Sequence, residues 1–230
     1  MDYDLVSFDL DGTLVDTAAE ICEAANMALQ AHAIAARPHA QITALIGAGT
    51  RELMHRLLAR CVGEQPALAQ RIDEAAVLAS FEAAYALTSG SSAQPYPGCR
   101  EALAQLQQVG VRLACVTNKE LHHARRVLQA TRLEGHFALV IGGDSLDEKK
   151  PHASVLRHVV DRLGVAAARS AHVGDSAIDV AAARNAGLAA WAVPYGYNGG
   201  VPIAQAGPDR MFETLAQLAE HVLGRGRAAA

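Results

Sequence analysis

LVSFDLDGT, residues 5–13, is the stretch on which the reading of this chain turns. Leu5 to Phe8 are apolar or small, and Asp9 and the pair Asp11-Gly12 follow at once, which predicts a short buried strand closed by a tight turn. Beyond it the pattern changes. From about residue 16 to 88, alanine, leucine and charged residues recur at helical spacing, broken near Arg37-Pro38, Gly47-Ala48-Gly49 and 63–66, so four or so helices and no strand are expected. SGSSAQPYP, 89–97, reads as a polar, proline-containing connector and a hinge. After it helix and strand alternate, with helices expected at 100–109, 119–130, 152–163, 177–186 and 212–223 and strands at 111–116, 137–141, 170–173 and 188–193. Such alternation implies a parallel sheet covered on both faces. The expected architecture is α/β: a doubly wound, Rossmann-like parallel sheet built from 1–15 and 92–230, with an all-helical domain, 16–91, inserted after the first strand. The tail GRGRAAA is expected to fray.

Composition agrees with that picture. The 230 residues are 51% hydrophobic, 4% aromatic and 19% charged, which excludes a disordered chain and is ample for a core without disulfides or a structural metal. A net charge of -4 gives no general attraction to nucleic acid or anionic membrane. The longest stretch free of Asp, Glu, Lys and Arg, from Asn185 to Pro208, contains Pro194, Pro202 and several glycines, so it is no spanning helix. The first ten residues carry three Asp and no Lys or Arg, the wrong charge for a secretory leader. Cys22, Cys61, Cys99 and Cys115 are widely spaced and read as free thiols, which points to a cytoplasmic protein.

Ligands of doubly wound sheets bind beyond the C-terminal ends of the strands. Those ends carry Asp9 and Asp11, Thr117 and Asn118, Gly142-Gly143-Asp144 with Lys149 and Lys150 soon after, and Gly174-Asp175. Asp9 and Asp11, close together across a turn, need a positive charge to stay ionised. With Asp175 they are three hard oxygen ligands without nearby Cys or His, a set suited to Mg2+. Lys150 supplies a point charge for a phosphoryl oxygen, and Thr117 and Asn118 a hydroxyl and an amide for further oxygens. These are the parts of a phosphoryl-transfer site. A calcium loop starting at Asp9 fails, because Leu14 stands where the sixth-position glycine is required. There is no GxxxxGK, and Gly47-Ala48-Gly49 follows a helix, against a dinucleotide fingerprint.

DLDGTLVDT (9–17), VTNK (116–119), KPHASVL (150–156) and GDSAIDVAAARNAG (174–187) resemble, in order, the four motifs of the haloacid dehalogenase superfamily of phosphatases, and 16–90 resembles its inserted cap domain. IGAGTREL (46–53), YPG (96–98), PYGYN (194–198) and Pro208-Asp209 are similar to the phosphoglycolate phosphatases within it. Ala153 departs from the usual second proline of the third motif. The resemblance implies Asp9 as nucleophile and metal ligand. It makes Asp11 the general acid/base, its carbonyl on the metal, and Asp175 a further metal ligand. Thr117 and Asn118 would hold the phosphoryl group, Lys150 would neutralise charge, and Asp179 would orient Lys150 or a metal-bound water. The implied activity is Mg2+-dependent hydrolysis of a small phosphorylated metabolite, 2-phosphoglycolate, by a monomer or homodimer. The alternatives are a sugar-phosphate phosphatase, pyrophosphatase or phosphoglucomutase of the superfamily, or an inactive regulatory protein of the same fold.

Arg51 could hold a substrate carboxylate or be an exposed first-turn arginine. Asp16 and Thr17 read as a helix cap, Lys119 as a helix start, Lys149 as a solvated neighbour and His152 as a first-turn residue. Asp144 is a rim residue or a loop anchor. Trp191, Tyr195 and Tyr197 read as core and loop packing, and Cys115 as a small core hydrophobe.

Overall fold

The computed structural model describes residues 2–224; of the tail expected to fray, 225–230 lie outside them. Leu5–Phe8 is β1, buried along its length, and it takes the centre of a six-stranded sheet. The others are β4 (Arg112–Val116), β5 (Leu139–Ile141), β6 (Ser170–Gly174), β7 (Ala189–Ala192) and β8 (Arg210–Met211), in the order β5-β4-β1-β6-β7-β8 and all parallel. Side chains alternate across the sheet, as the pleat requires. Val6 and Phe8 join a cluster with α5 (Cys99–Gln108), α6 (Leu121–Ala130) and α9 (Leu215–Val222), while Leu5 joins one with α7 (Ala153–Leu163) and α8 (Ala177–Ala186). Trp191 packs edge-on against Tyr3 and Phe212 in the first cluster, and Cys115 is fully buried there. All four cysteines are free and buried.

The inserted cap is α1 (Ala18–Ala31), α2 (His39–Thr43), α3 (Thr50–Glu64) and α4 (Glu74–Thr88). It has its own hydrophobic cluster, from Ile21 to Tyr85, dominated by the α1–α4 pair. Where the chain leaves and re-enters the core, β2 (Val15–Asp16) pairs antiparallel with β3 (Gln94–Pro95). This ribbon is one correction to the expected organisation, since it puts Asp16 in a strand. Two residues are too few to show a period, and the pairing comes from bringing both crossings together. The strand β8 was equally invisible in the sequence: it is two exposed residues at the sheet edge. Among the described residues no helix is long and apolar enough to cross a membrane.

The connections from β1 run towards β4 and β5, and those from β6 run the other way, towards β7 and β8. The crevice at this reversal is where a doubly wound sheet holds its ligand. The backbone carries β1 one residue further, Asp9 N–H donating to Val173 O at 2.9 Å, so the residues after β1 and β6 emerge side by side.

Candidate active site

Asp9, Asp11, Thr117, Asn118, Lys150, Asp175 and Asp179 are all buried at that crevice. Lys150, just before α7, donates to Asp9 Oδ1 at 2.8 Å and to Asp179 Oδ1 at 2.7 Å. Burial alone would discharge this lysine, but Asp179 and Asp9 outweigh it and hold the ammonium firmly protonated. Asp179 likewise overcomes its burial through Lys150 and His172 and stays well below the usual carboxylate range. Asp9 does not: burial, with Asp179 and Asp11 nearby, outweighs Lys150 and pushes it up to about 6. Only its Oδ1 is engaged by a protein donor among the described residues.

Beneath Asp179 runs a chain that sequence reasoning missed. His172 Nε2 lies 3.3 Å from Asp179 Oδ1, and its Nδ1 lies 2.9 Å from Ser7 Oγ. Asp179 also closes a capping box with Ser176 at the start of α8. Its rotamer is thereby fixed, and Lys150 is aimed at Asp9. A histidine within a strand gives no local sign of facing Asp179. The only available signal was its place on the same strand as the fourth motif.

Asp175 accepts from Thr13 Oγ1 at 3.0 Å and from Tyr197 N–H, and has no basic partner among the described residues. Burial and the neighbouring Asp9 and Asp179 raise it well above its ordinary value. Gly12, at φ 85°, makes room here: a Cβ would strike Asp175 Oδ2 and the Tyr197 ring. Ligand oxygens of Asp9, Asp175 and Asp179 lie within 4.8 Å of one another. This buried cluster is all hard oxygen and short of positive charge, so it fits a small hard divalent cation. The Asp11 side chain lies outside the cluster.

Asp11 pairs with Lys119, and it is the expectation for Lys119, a helix start, that is corrected. The helix begins at Leu121, and Lys119 is buried with its Nζ on Asp11 Oδ1. The same oxygen accepts from Thr17 Oγ1 at 2.6 Å, and among the described residues no donor engages Oδ2. Thr17 heads α1 but makes no side-chain cap bond, so its hydroxyl serves Asp11; Asp16 Oδ1 instead accepts Ala18 N–H at 3.1 Å. Tyr195 and Tyr197 pack in their loop and also pin the crossing. Tyr195 donates to Thr13 O at 2.9 Å, and the Tyr197 hydroxyl accepts from Thr17 N–H at 2.8 Å.

The pocket in front of these groups is lined by Asp9, Asp11, Thr117, Asn118 and Lys119 from the core and by Ile21, Ile46, Gly47, Gly49, Thr50 and Leu53 from the cap. The free space between these groups is only about 20 Å³, room for about one water molecule. Cap and core touch directly around it. Asn118 Nδ2 donates to Gly47 O at 3.3 Å and to Lys150 O at 3.0 Å, Lys149 Nζ to Ala48 O at 2.9 Å, and Thr50 Oγ1 to Glu120. Lys149 is thus exposed but reaches the cap. Asp144 anchors a loop by accepting Leu121 N–H at 2.7 Å, and His152 caps α7. Arg51 is the candidate not brought in: it is exposed and lines the neighbouring groove with Glu82 and Glu120.

Glu20, fully buried at the start of α1, accepts Gly90 N–H of the connector at 2.9 Å, and its other oxygen has no partner among the described residues. Burial outweighs Lys119 and lifts it to about 7. A carboxyl raised on folding stabilises the fold below its unfolded value and loses that contribution as pH climbs from about 4.5 through about 7. Glu20→Gln should therefore flatten the stability profile between pH 5 and 8 and hold ~2 kcal/mol more stability than wild type at pH 8. Denaturant melts at pH 5 and 8 measure this, and parallel profiles for both proteins would refute it.

A family model described as haloacid dehalogenase-like hydrolase matches residues 3–187. The plasmid phosphoglycolate phosphatase of Cupriavidus necator is 41% identical over 213 residues, covering 93% of this chain and 90% of that one. The phosphoglycolate phosphatase of Vibrio vulnificus CMCP6 is 36% identical over 219 residues, with 95% and 96% covered. The crystal structure of a predicted phosphoglycolate phosphatase from Haemophilus somnus superposes with a TM-score of 0.87 at 30% identity over 96% of this chain and 99% of that one.

Proposed function

The chain belongs to the haloacid dehalogenase-like hydrolases and is a phosphoric monoester hydrolase; from that premise we propose that it uses Mg2+ to hydrolyse 2-phosphoglycolate to glycolate and phosphate. The observation that carries the reading is the split between its first two acids. Asp9 and Asp11 face one small pocket, each held through Oδ1 by its own buried lysine and each keeping Oδ2 for chemistry.

Asp9 Oδ2 attacks phosphorus in line. The bond to the leaving oxygen breaks, and Asp11 Oδ2 delivers the proton that oxygen needs. Asp11 then takes a proton from water, which attacks phosphorus and releases phosphate from Asp9. Lys150 neutralises charge between Asp9 and the phosphoryl oxygens, while Thr117 and Asn118 hold those oxygens. Asp9 and Asp175, with the Asp11 carbonyl, would hold Mg2+, which supplies the countercharge this acidic cluster lacks. Asp179 keeps Lys150 in place.

The first turn of α3, reached through Gly47, Gly49 and Thr50, has N–H groups that no side chain caps, and they suit the substrate carboxylate better than the outlying Arg51 guanidinium does. Cap and core residues share the pocket wall, so the cap, residues 16–91, would close over the substrate and exclude water. A panel of kcat/KM values for 2-phosphoglycolate, hexose phosphates and nucleotides tests the substrate. Higher values for a hexose phosphate would overturn it and leave the chemistry standing. Chelation should abolish turnover, and Mg2+ at a hundredfold excess over its Kd should add about 2.7 kcal/mol of stability. An unmoved melting temperature would remove the cation from this site.

A further inference from the structure

A second convergence of ligating side chains lies outside the acidic pocket. Glu82 comes from the cap helix α4, and His122 and His123 come from the first turn of the core helix α6. Glu82 Oε1 stands 2.9 Å from His122 Nε2 and 2.9 Å from His123 Nε2. The ligating atoms all lie within 4.8 Å of one another. Consecutive residues on a helix normally point apart, yet these two rings turn towards one oxygen with their centroids 3.8 Å apart. We propose that Glu82, His122 and His123 form a site for a borderline divalent cation, best matched by Zn2+, that fastens the cap to the core.

The donor set is two imidazoles and one carboxylate, the ligand type of open zinc sites and a poor one for Mg2+. Tetrahedral ligands at zinc bond lengths stand about 3.3 Å apart, so each 2.9 Å Glu82–imidazole spacing needs to open by a few tenths of an ångström. His123 is fully buried, and its Nδ1 faces Ser89 Oγ at 3.3 Å. A hydroxyl both donates and accepts, so Ser89 accepts the Nδ1–H of the tautomer in which Nε2 offers its lone pair to a metal. Glu82 and His122 are about half exposed, which gives the ion an entry route and a fourth position for water. Ser89 opens the connector between cap and core, so an ion held here bridges the hinge.

Binding of Zn2+ does not depend on the phosphatase reading and is measured without turnover. Calorimetric titration with Zn2+ in excess Mg2+ should reveal one tight equivalent on the wild-type protein. It should weaken by roughly 100-fold or more in Glu82→Gln and in His122→Gln, both surface changes that leave the core intact. Asp175→Asn, which disables the acidic pocket, should keep the tight equivalent. Melting temperature should rise with Zn2+ in wild type and Asp175→Asn and stay level in the other two. Equal titrations of wild type, Glu82→Gln and His122→Gln would overturn the proposal, as would loss of the tight equivalent in Asp175→Asn.

Discussion

Asp9→Asn should lower kcat by about 10⁴–10⁶-fold while leaving the protein folded. The amide fills the same volume but is a far weaker nucleophile, so no covalent intermediate forms on residue 9. Stability should survive, because Lys150 keeps its 2.7 Å bond to Asp179 and burial already disfavours the charge on Asp9. Measuring kcat beside a thermal melt separates the two effects. Wild-type turnover in a folded Asp9→Asn protein would end the nucleophile assignment. Loss of folding would mean that the carboxylate is needed to hold Lys150.

The second large effect is expected at Lys119, a residue that local sequence reading places at a helix start. Lys119→Met should cost about 3–5 kcal/mol, because it leaves the buried Asp11 carboxylate without its countercharge. In a chain of this size that is a fall of about 6–20 °C in melting temperature. It should also reduce kcat by roughly 10²–10³-fold, since a general acid/base that is not held in place loses most of its contribution. The double variant Lys119→Met with Asp11→Asn tells position from packing. Removing both charges should recover much of the stability and none of the activity. Recovered activity would mean that Asp11 is not the proton carrier. An unchanged melting temperature in Lys119→Met would mean that water replaces the ammonium.

These two predictions mark the line between what was legible along the chain and what was not. Asp9, Thr117 and Asp175 each follow directly on a strand, so once the strands were recognised their sheet edge was known. Lys150 stood in a run whose neighbours resembled a known pattern. Lys119, by contrast, meets an acid 108 positions away, and nothing in a TNK sequence states which way the lysine turns. Thr17 looked like a helix cap because threonine is a good one, yet its hydroxyl bonds to Asp11. Arg51 was plausible as a carboxylate partner because it follows the cap glycines; the helix turns it outward instead.

By itself the sequence determined the class of fold, the interruption by a helical segment and the acids that gather at one edge. Periodicity and turn chemistry are local, and residues next to a strand end inherit the strand's direction. Tertiary structure alone decided which charge neutralises which. Lys150 went to Asp9 and Asp179, Lys119 to Asp11, and His172 to the underside of Asp179. It also decided that Ile46, Gly47, Gly49 and Thr50 of the cap line the pocket and that Glu82 reaches two core histidines. Those pairings depend on strand register and cap docking, which bring together groups far apart in the chain, and in a buried site each charge is held by whichever partner is nearest.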